Sequence, residues 1–532
     1  MNRIESIKSQ ASLATVEKRL SQIAADSNPL SDKDLYALRI LGLAHKKSRP
    51  NTFTLRLRLP AGHLNATQAR AIAQITQNHS DTAISLTARC QLQLRNLHRV
   101  DLPAILSNLI DVGLITTSTL MDSVRNIITH PLHNLTEHDL FDITPTLNAF
   151  EDLVQTQTHW RNLPRKINLY ISATTLPDPI AHCQDIALLP ATTSSSNQPL
   201  HTPNTLGFTL FIAGRASGQT LRKAQPTNIF VSPQNAPTLL KHLIDLYQSQ
   251  GPRKKRTLCR ICDWLDIFPP DQLKKALQNM CNFDLSIPFT QPQPTASPQL
   301  PDNFNLTPQH HPDHYALGLL VPDSKLTPTQ LLTLADLTDQ YAQSQIRFTP
   351  QQNILIPHLH KTHLTSALNH PLLQTLTPNP TPLEKCTLSC TGLPHCSLSL
   401  IDTKHHHKQT IEKLTQQLPH RTTNLPVISF SGCKAGCGRH AAADIAIVGR
   451  RIQQHNQTIE AADIYIPEKN PASNQRSLVK IFEQIPCDLI ADTILPLIES
   501  TTPTTNSYLT SQPPTRPQHN GTSQLPTHIQ ST

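Results

Sequence analysis

The sequence predicts an internally duplicated chain of the α/β (α+β) class. Three observations lead to this fold class. The chain has 532 residues, room for three or four domains at roughly 100–200 residues per domain. Its segments alternate between the period of two that is typical of strands and the period of 3.6 that is typical of helices. Finally, residues 59–98 recur at 321–360 without a gap.

The first copy shows the predicted order of elements. Residues 53–59 alternate apolar and polar, which predicts a half-buried strand with Arg56 and Arg58 on one face. A turn at 60–62 precedes a predicted helix at 67–77. The alternation returns at 83–97, and a second helix is predicted at 100–112. The unit is therefore strand, helix, strand, helix.

The repeat is too regular to come from shared patterning alone. At a constant offset of 262 residues, 10 of 40 positions are identical, including Pro60 and Pro322 at the first turn. The copies differ in charge, because Arg89 and Arg95 of the first copy correspond to Gln351 and Pro357 of the second. Only the first copy therefore carries positive charge suited to binding an anion.

Composition narrows the function classes. The 14 glycines and 45 prolines exclude a collagen or a Gly/Pro-rich low-complexity chain. The net charge of +9 suits an acidic partner or a small anion, whereas the scarcity of Trp and Tyr and the short basic runs argue against nucleic acid. No signal peptide or membrane-spanning stretch is present, so the expected location is the cytoplasm, where 11 cysteines indicate thiol, metal or cofactor chemistry.

Four cysteines form two spaced pairs, each in a segment whose residues are typical of turns. Cys390 and Cys396 form C-x5-C, and Cys433 and Cys437 form C-x3-C. Four thiolates suit a [4Fe–4S] cluster, with one thiolate per iron. The spacing of the second pair also fits tetrahedral zinc, and unliganded thiols are a third alternative.

Other cysteines and histidines carry weaker signals. Cys259 and Cys262 lie in a basic segment, residues 253–268, that predicts an amphipathic helix with buried structural cysteines. The run His405–His407 is interpreted as a solvated helix face.

The duplication and the cysteine spacing together resemble the sirohaem nitrite and sulfite reductases, from about residue 30 to residue 489. Further segments agree in order with the family's motifs: LTARCQLQLR at 86–95, DSVRNIITHP at 122–131, NLPRKIN at 162–168 and TPQQNIL at 349–355. The resemblance implies two ferredoxin-like half-domains and two α/β lobes of the sirohaem/4Fe-4S type. The expected divisions are a helical extension (1–45), a first half-domain (46–115), a first lobe (116–286), a Pro-rich linker (287–308), a second half-domain (309–378), a cluster-bearing lobe (379–498) and a disordered tail (499–532).

The resemblance also implies cofactors and site residues. Cys390, Cys396, Cys433 and Cys437 would hold the [4Fe–4S] cluster, with Cys437 also the axial ligand of the sirohaem iron. Arg56, Arg58, Arg125 and Lys166 match positions that bind the substrate anion, and Arg125 also falls in the cofactor-binding set. Arg89 matches a position associated with the carboxylates of sirohaem.

One position bears on the substrate. Sulfite reductases of this family carry L-P-R-K-x-K, whereas plant-type nitrite reductases carry L-P-R-K-x-N, and this chain has Asn168 at the last position. One cation fewer suits monoanionic nitrite, so the expected reaction is the six-electron reduction of nitrite to ammonia. Sulfite reduction and a precorrin-3B synthase-like activity are the enzymatic alternatives, and an iron–sulfur sensor is the non-enzymatic one.

The electrons are expected from a separate protein. No G-x-G-x-x-G fingerprint follows a predicted strand, so an acidic donor such as ferredoxin is expected, with Lys254 and Lys255 as docking charges on a monomeric enzyme. The chain departs from the family at Ala61, Cys90, Ser397 and Arg439, where bulk or charge changes close to the expected cofactors.

Overall fold

The chain begins with short helices that pack on the first half of the molecule. The computed structural model describes residues 3–8, 12–26, 28–46, 49–193, 205–218, 220–293, 303–423, 425–468 and 475–500, so most of the expected tail lies outside the described residues. Ser12 and Ser31 cap the second and third helices with their hydroxyl groups. These helices are α1 (Arg3–Lys8), α2 (Leu13–Ala25) and α3 (Asp32–Ala37).

The first half-domain has the predicted order of elements. The side chains of Asn65 and Gln68 form a capping box at the start of its long helix, which confirms the helix predicted at 67–77. The predicted strand at 53–59 ends earlier, at Arg56. The elements are β1 (Leu43–Lys46), β2 (Arg49–Arg56), β3 (His63–Asn65), α4 (Ala66–His79), β4 (Ile84–Leu86), β5 (Leu92–His98) and α5 (Leu102–Asp111).

The first lobe is built on a mixed sheet. Three parallel strands are extended by antiparallel ones, in the order β12-β9-β8-β7-β6, with β13 beside β8. Its elements are β6 (Val124–Ile128), α6 (Thr144–Thr156), β7 (Ile167–Ile171), β8 (Ile186–Thr193), β9 (Leu206–Ile212), β10 (Arg215–Ser217), β11 (Thr220–Arg222), β12 (Gln225–Val231), α7 (Ala236–Gln250), α8 (Ile261–Leu265), α9 (Pro270–Met280) and β13 (Phe289–Thr290).

The second half-domain repeats the first. Thr327 and Gln330 form the same capping box as Asn65 and Gln68, at the same offset. Two strands, β13 and β14, occupy described ends of the segment expected as a linker. The elements are β14 (Asn305–Pro308), β15 (His314–Leu319), β16 (Lys325–Leu326), α10 (Pro328–Tyr341), β17 (Gln345–Phe348), β18 (Ile354–His360) and α11 (Leu364–Leu368).

The second lobe has a seven-stranded sheet that borrows two strands from the first lobe. The order is β10-β11-β23-β22-β21-β20-β19, and β19, β20 and β21 run parallel. The elements are α12 (Pro382–Lys385), β19 (Thr387–Ser389), α13 (Thr403–Gln417), β20 (Ile428–Ser431), β21 (Ile445–Gln454), β22 (Gln457–Pro467), β23 (Gln475–Pro486) and α14 (Ile490–Glu499).

The two half-domains exchange a short strand. Strand β16 of the second copy pairs with β4, and β3 of the first copy pairs with β17. The turns before β3 and β16 match, since Ala61 has φ 55° and Asp323 has φ 54°. The predicted duplication is therefore confirmed in the backbone as well as in the sequence.

Burial follows this division. One apolar core runs through both half-domains and the N-terminal helices, and each lobe has a core of its own. Among the described residues, no helix combines the length and the apolar character needed to cross a membrane.

Candidate functional site

The two cysteine pairs lie at the carboxyl ends of adjacent parallel strands. Cys390 follows β19 directly, and Cys433 comes two residues after β20. The strands are in register so that Ser389 lies beside Phe430, and the Cys390 N–H donates to the Phe430 carbonyl at 2.9 Å. Open α/β sheets place ligand sites at this edge. Because the two strands end side by side, the two cysteine loops begin next to each other.

The loops pack closely around Cys390. The Gly432 N–H points at the Cys390 sulfur at 3.2 Å, and the Thr403 hydroxyl oxygen lies 3.7 Å from that sulfur. A Cβ on Gly432 would collide with the Ser399 side chain, so only glycine fits there. The Gly432 N–H directed at the sulfur stabilises a thiolate, the form that binds iron, while the Thr403 hydroxyl donates to the Cys390 carbonyl.

The four cysteine thiols lie close enough together to affect one another's pKa. Burial raises the pKa of Cys433, and Cys396 and Cys390 raise it further. Burial also raises the pKa of Cys437, followed by the effect of Cys390, while Lys166 acts in the opposite direction. In the described part of the chain, no three His, Cys, Asp or Glu side chains meet at the spacing of one metal ion. A four-iron cluster does not require that spacing, because each thiolate binds a different iron.

Four basic side chains form what is called the cation set below: Arg56, Arg89, Arg125 and Lys166. They lie close enough to affect one another's pKa, and Arg56 and Lys166 also interact with Cys437. Each is partly accessible to solvent yet deeply enclosed by protein, as expected for side chains that line an internal cleft. Burial lowers the pKa of Lys166 well below its usual value, with Arg89 and Arg125 next, while Cys437 opposes the shift. Burial, followed by Arg260, lowers the pKa of Arg89 to about 10.

Arg125 of the cation set is held by backbone carbonyls rather than by a carboxylate. The Arg125 guanidinium donates to the carbonyls of Thr119 and Met121, and its Nε has no partner. The buried Nε of Arg56 is also unpaired. Among the described residues, none of the four side chains forms a carboxylate ion pair. The set therefore offers positive charge to an anionic ligand.

Two further arginines, which the sequence indicates only indirectly, lie around the same space. Arg95, which faces Cys396 and Arg56, donates to the Ser85 hydroxyl at 3.1 Å, and burial lowers its pKa to about 10. Arg439, identified from the sequence only as a departure from the family, has φ 60° and donates to the Ala88 carbonyl at 2.5 Å. No local motif marks Arg95, but the charge difference between the two copies pointed to it.

Arg58 does not belong to the anion site. Its Nε lies 2.6 Å and its Nη2 2.8 Å from the two carboxylate oxygens of Glu151, and its Nη1 donates to the carbonyls of Ser118 and Val124. The side chain is 1% exposed. The expectation from strand alternation fails because β2 ends at Arg56, so Arg58 lies beyond the regular strand and enters the packing against α6.

Asn168 lies on β7, the strand that begins directly after Lys166. It is buried in β7, two residues after Lys166, and its side-chain oxygen has no partner. Its backbone N–H donates to Asp185 at 2.8 Å, and Asp185 forms an ion pair with Arg260 at 2.7 Å. The position has an unsatisfied acceptor where relatives of the sulfite type carry an ammonium.

The basic segment 253–268 is not one helix. It forms a short turn and then α8, with Cys259 and Cys262 buried as predicted. Arg253 pairs with Glu5 at 2.7 Å and Arg256 with Asp122 at 2.7 Å, so these two charges are committed within the molecule. Lys254 and Lys255 stay exposed and are available to a partner.

In the run at 405–407, His406 and His407 contact Glu460 and Thr387 and are partly buried, so only His405 is solvated as expected.

These groups fit the two cofactors. The thiols suit iron, and unpaired buried guanidinium atoms suit a macrocycle that carries several carboxylates. Cys390, Cys396, Cys433 and Cys437 would hold the cluster, while Arg89 would meet the carboxylates.

Comparisons with known proteins agree with this arrangement. The "Nitrite/Sulfite reductase ferredoxin-like half domain" matches residues 45–112 and 307–372, and the "Nitrite and sulphite reductase 4Fe-4S domain" matches residues 120–283, a range that does not include the four cysteines. The ferredoxin–nitrite reductase of Synechococcus elongatus is 30% identical over 88% of this chain and 90% of its own length. That of Leptolyngbya laminosa is 26% identical, over 92% and 94%. The structure of the Mycobacterium tuberculosis NirA protein superposes with a TM-score of 0.80 at 20% identity, over 93% of this chain and 92% of that one, which shows the same fold.

Proposed function

This chain belongs to the nitrite and sulphite reductase family, and we propose that it reduces nitrite to ammonia with electrons from a ferredoxin. The observation that carries the proposal is the cation set, unpaired by carboxylates, with Arg56 and Lys166 beside Cys437. The curated relatives that match over most of the chain are named ferredoxin–nitrite reductases. The predicted cytoplasmic location and monomeric state remain predictions.

The cofactors supply the redox chemistry. When bound through Cys390, Cys396, Cys433 and Cys437, the [4Fe–4S] cluster and the sirohaem would supply the electron-transfer chemistry. The protein's share is to attract the anion, orient it and provide protons, because nitrite loses both oxygens as water. Arg56 and Arg125 provide fixed positive charge that stays in place through the reaction.

Lys166 is suited to provide protons. Burial, with Arg89 and Arg125 next, lowers the pKa of its ammonium, so the ammonium gives up a proton more readily than a surface lysine does. A bound anion favours the charged form, so the amine regains a proton from water after each transfer. Lys166 can therefore act repeatedly within one turnover, which consumes several protons.

Asn168 supports nitrite over sulfite. A buried amide leaves the pocket one positive charge short of the L-P-R-K-x-K pattern, which favours the anion of lower charge. The test is kcat/KM for both anions on the anaerobically purified holoprotein. Nitrite should be preferred, and a higher value for sulfite would overturn the proposal.

Asn168→Lys tests the residue itself. An added ammonium should raise kcat/KM for sulfite relative to nitrite by about tenfold, since charges in such sites interact by more than 1 kcal/mol. Asn369→Lys, at an exposed position of the second half-domain, is the matched control and should leave the ratio unchanged. An unchanged ratio in Asn168→Lys would remove the argument from this position.

The visible spectrum separates the enzyme from a cluster-only sensor. Holoprotein purified without oxygen should show sirohaem bands together with about four irons per chain from the cluster. A spectrum of cluster alone would favour the sensor.

Electron transfer from ferredoxin should weaken as salt is added if Lys254 and Lys255 dock the donor. Rates independent of ionic strength would contradict docking by charge.

A further inference from the structure

Histidines gather at one edge of the second half-domain, away from the cysteine loops. His314 begins β15 and lies opposite His360 of β18 in the ladder, with ring centroids 5.4 Å apart. The rings of His314 and His358 are 6.4 Å apart, and His311 contacts His314 edge to face at 4.4 Å. The proposed nitrite chemistry uses none of these side chains.

Three donor atoms converge within this cluster. The Nδ1 atoms of His311 and His314 are 2.7 Å apart. The carbonyl oxygen of Pro312 lies 2.7 Å from the first Nδ1 and 3.3 Å from the second. Two N–H groups cannot face each other at that separation, so at least one ring presents an unprotonated Nδ1 to the other.

We propose that His311, His314 and the Pro312 carbonyl form a binding site for a divalent transition-metal cation such as Zn²⁺ or Ni²⁺. Imidazole nitrogen is a preferred ligand for these metals. Ligands bonded to one such ion at about 2.0–2.1 Å lie roughly 3 Å apart, close to the three separations here. The ion would replace the shared proton, which moves to the distant ring nitrogen.

The surroundings define how the site is completed. No three His, Cys, Asp or Glu side chains in the described ranges converge on one ion, so the third protein ligand is the backbone oxygen and water fills the rest. The Nδ1 of His360 is not part of the donor set, because it accepts from the Thr362 backbone N–H and lies 2.7 Å from the Thr362 hydroxyl. Asp313 is held by Lys361 at 2.8 Å, outside the donor set.

The site is open to solvent and independent of the reductase proposal. His311 is exposed and His314 is partly exposed, so an ion can enter without unfolding the sheet. His311 and His314 sit at a turn and at the start of an edge-proximal strand, where substitution of a side chain leaves the core intact.

Calorimetric titration of the holoprotein with Zn²⁺ tests the site. The wild type should bind one more equivalent than the double variant His311→Ala/His314→Ala, and each single variant should bind at least about tenfold more weakly, since even indirect ligand partners contribute that much. His420→Ala, at an exposed histidine outside the cluster, should match the wild type. Equal stoichiometry and affinity in wild type and double variant would overturn the proposal.

A second measurement guards against misfolding. His311→Asn keeps a polar side chain at an exposed turn and should show the native circular dichroism with the weakened Zn²⁺ affinity. Native circular dichroism with unchanged affinity would also overturn the proposal. The same pair of results is expected with Ni²⁺ as the probe.

Discussion

Glu151→Gln should destabilise the protein strongly without affecting nitrite binding. The substitution removes the charge that compensates Arg58, whose side chain is 0% exposed in the ion pair. Two contacts, at 2.6 and 2.8 Å, form a fork that glutamine cannot reproduce in charge. The Gln155 amide, which donates to Glu151 at 2.7 Å, would lose its carboxylate partner as well.

The magnitude follows from burial. Removing one partner of a buried ion pair costs about 3–5 kcal/mol, because the remaining charge cannot return to water. The Ser118 and Val124 carbonyls hold Arg58 in place, so it cannot swing out to solvent in the variant. The double variant Arg58→Met/Glu151→Met should recover much of the loss, since it removes both charges together.

Urea unfolding of the holoprotein, followed by circular dichroism, measures the change in midpoint, and steady-state kinetics measures KM for nitrite. Asp492→Asn is the control, because its 2.6 Å pair with Lys413 is about half exposed and should shift the midpoint little. If Glu151→Gln left the midpoint in place, or raised KM with unchanged stability, the structural role of Arg58 would be refuted.

Three further predictions concern the turn, a buried histidine and the proton donor. Ala61→Gly should stabilise the protein by about 0.5–1 kcal/mol in urea unfolding, because Ala61 has φ 55°, whereas Gly62→Ala should destabilise it, since a Cβ there meets the Phe348 carbonyl. Burial, followed by Arg347, lowers the pKa of His133 well below 6.5, so only the unfolded chain binds that proton and stability falls as pH drops below 6.5. Between pH 7.5 and 5.5 the loss should be about 1.4 kcal/mol, and His133→Gln should remove that part of the slope in urea titrations. Lys166→Met should lower kcat about 10²–10⁴-fold with an unchanged visible spectrum, while Lys254→Met should keep full activity with a small-molecule reductant; normal turnover in Lys166→Met would exclude it as proton donor.

The repeat and the cysteine pairs could be predicted because both are local in sequence. A gapless repeat preserves turn geometry, so Pro60 and Pro322 indicate the same turn in both copies. The cysteine loops follow strands that the pattern identifies. Strand exchange could not be predicted, because β16 has two residues and pairs with β4, which belongs to the other copy.

The two arginines of the first strand show where sequence reasoning ends. Alternation places Arg56 and Arg58 on one face, and nothing local distinguishes them. The distinction comes from Glu151, 93 residues away, which binds one and not the other. The single helix predicted for residues 253–268 is wrong for the same reason, since Asp122 and Glu5 bind its arginines and hold it as a turn.

The exchange of strands explains why a duplicated chain has one asymmetric site. All four members of the cation set lie on the first copy and the first lobe, whereas all four cysteines lie on the second lobe. Two separate half-domains could shift against each other, and the charges would lose their position relative to the thiols. Because β3 and β16 are exchanged, both halves share one core, and a shift would break two sheets at once. The second copy could therefore lose its own charges, as Gln351 and Pro357 show, without loosening the site built from the first.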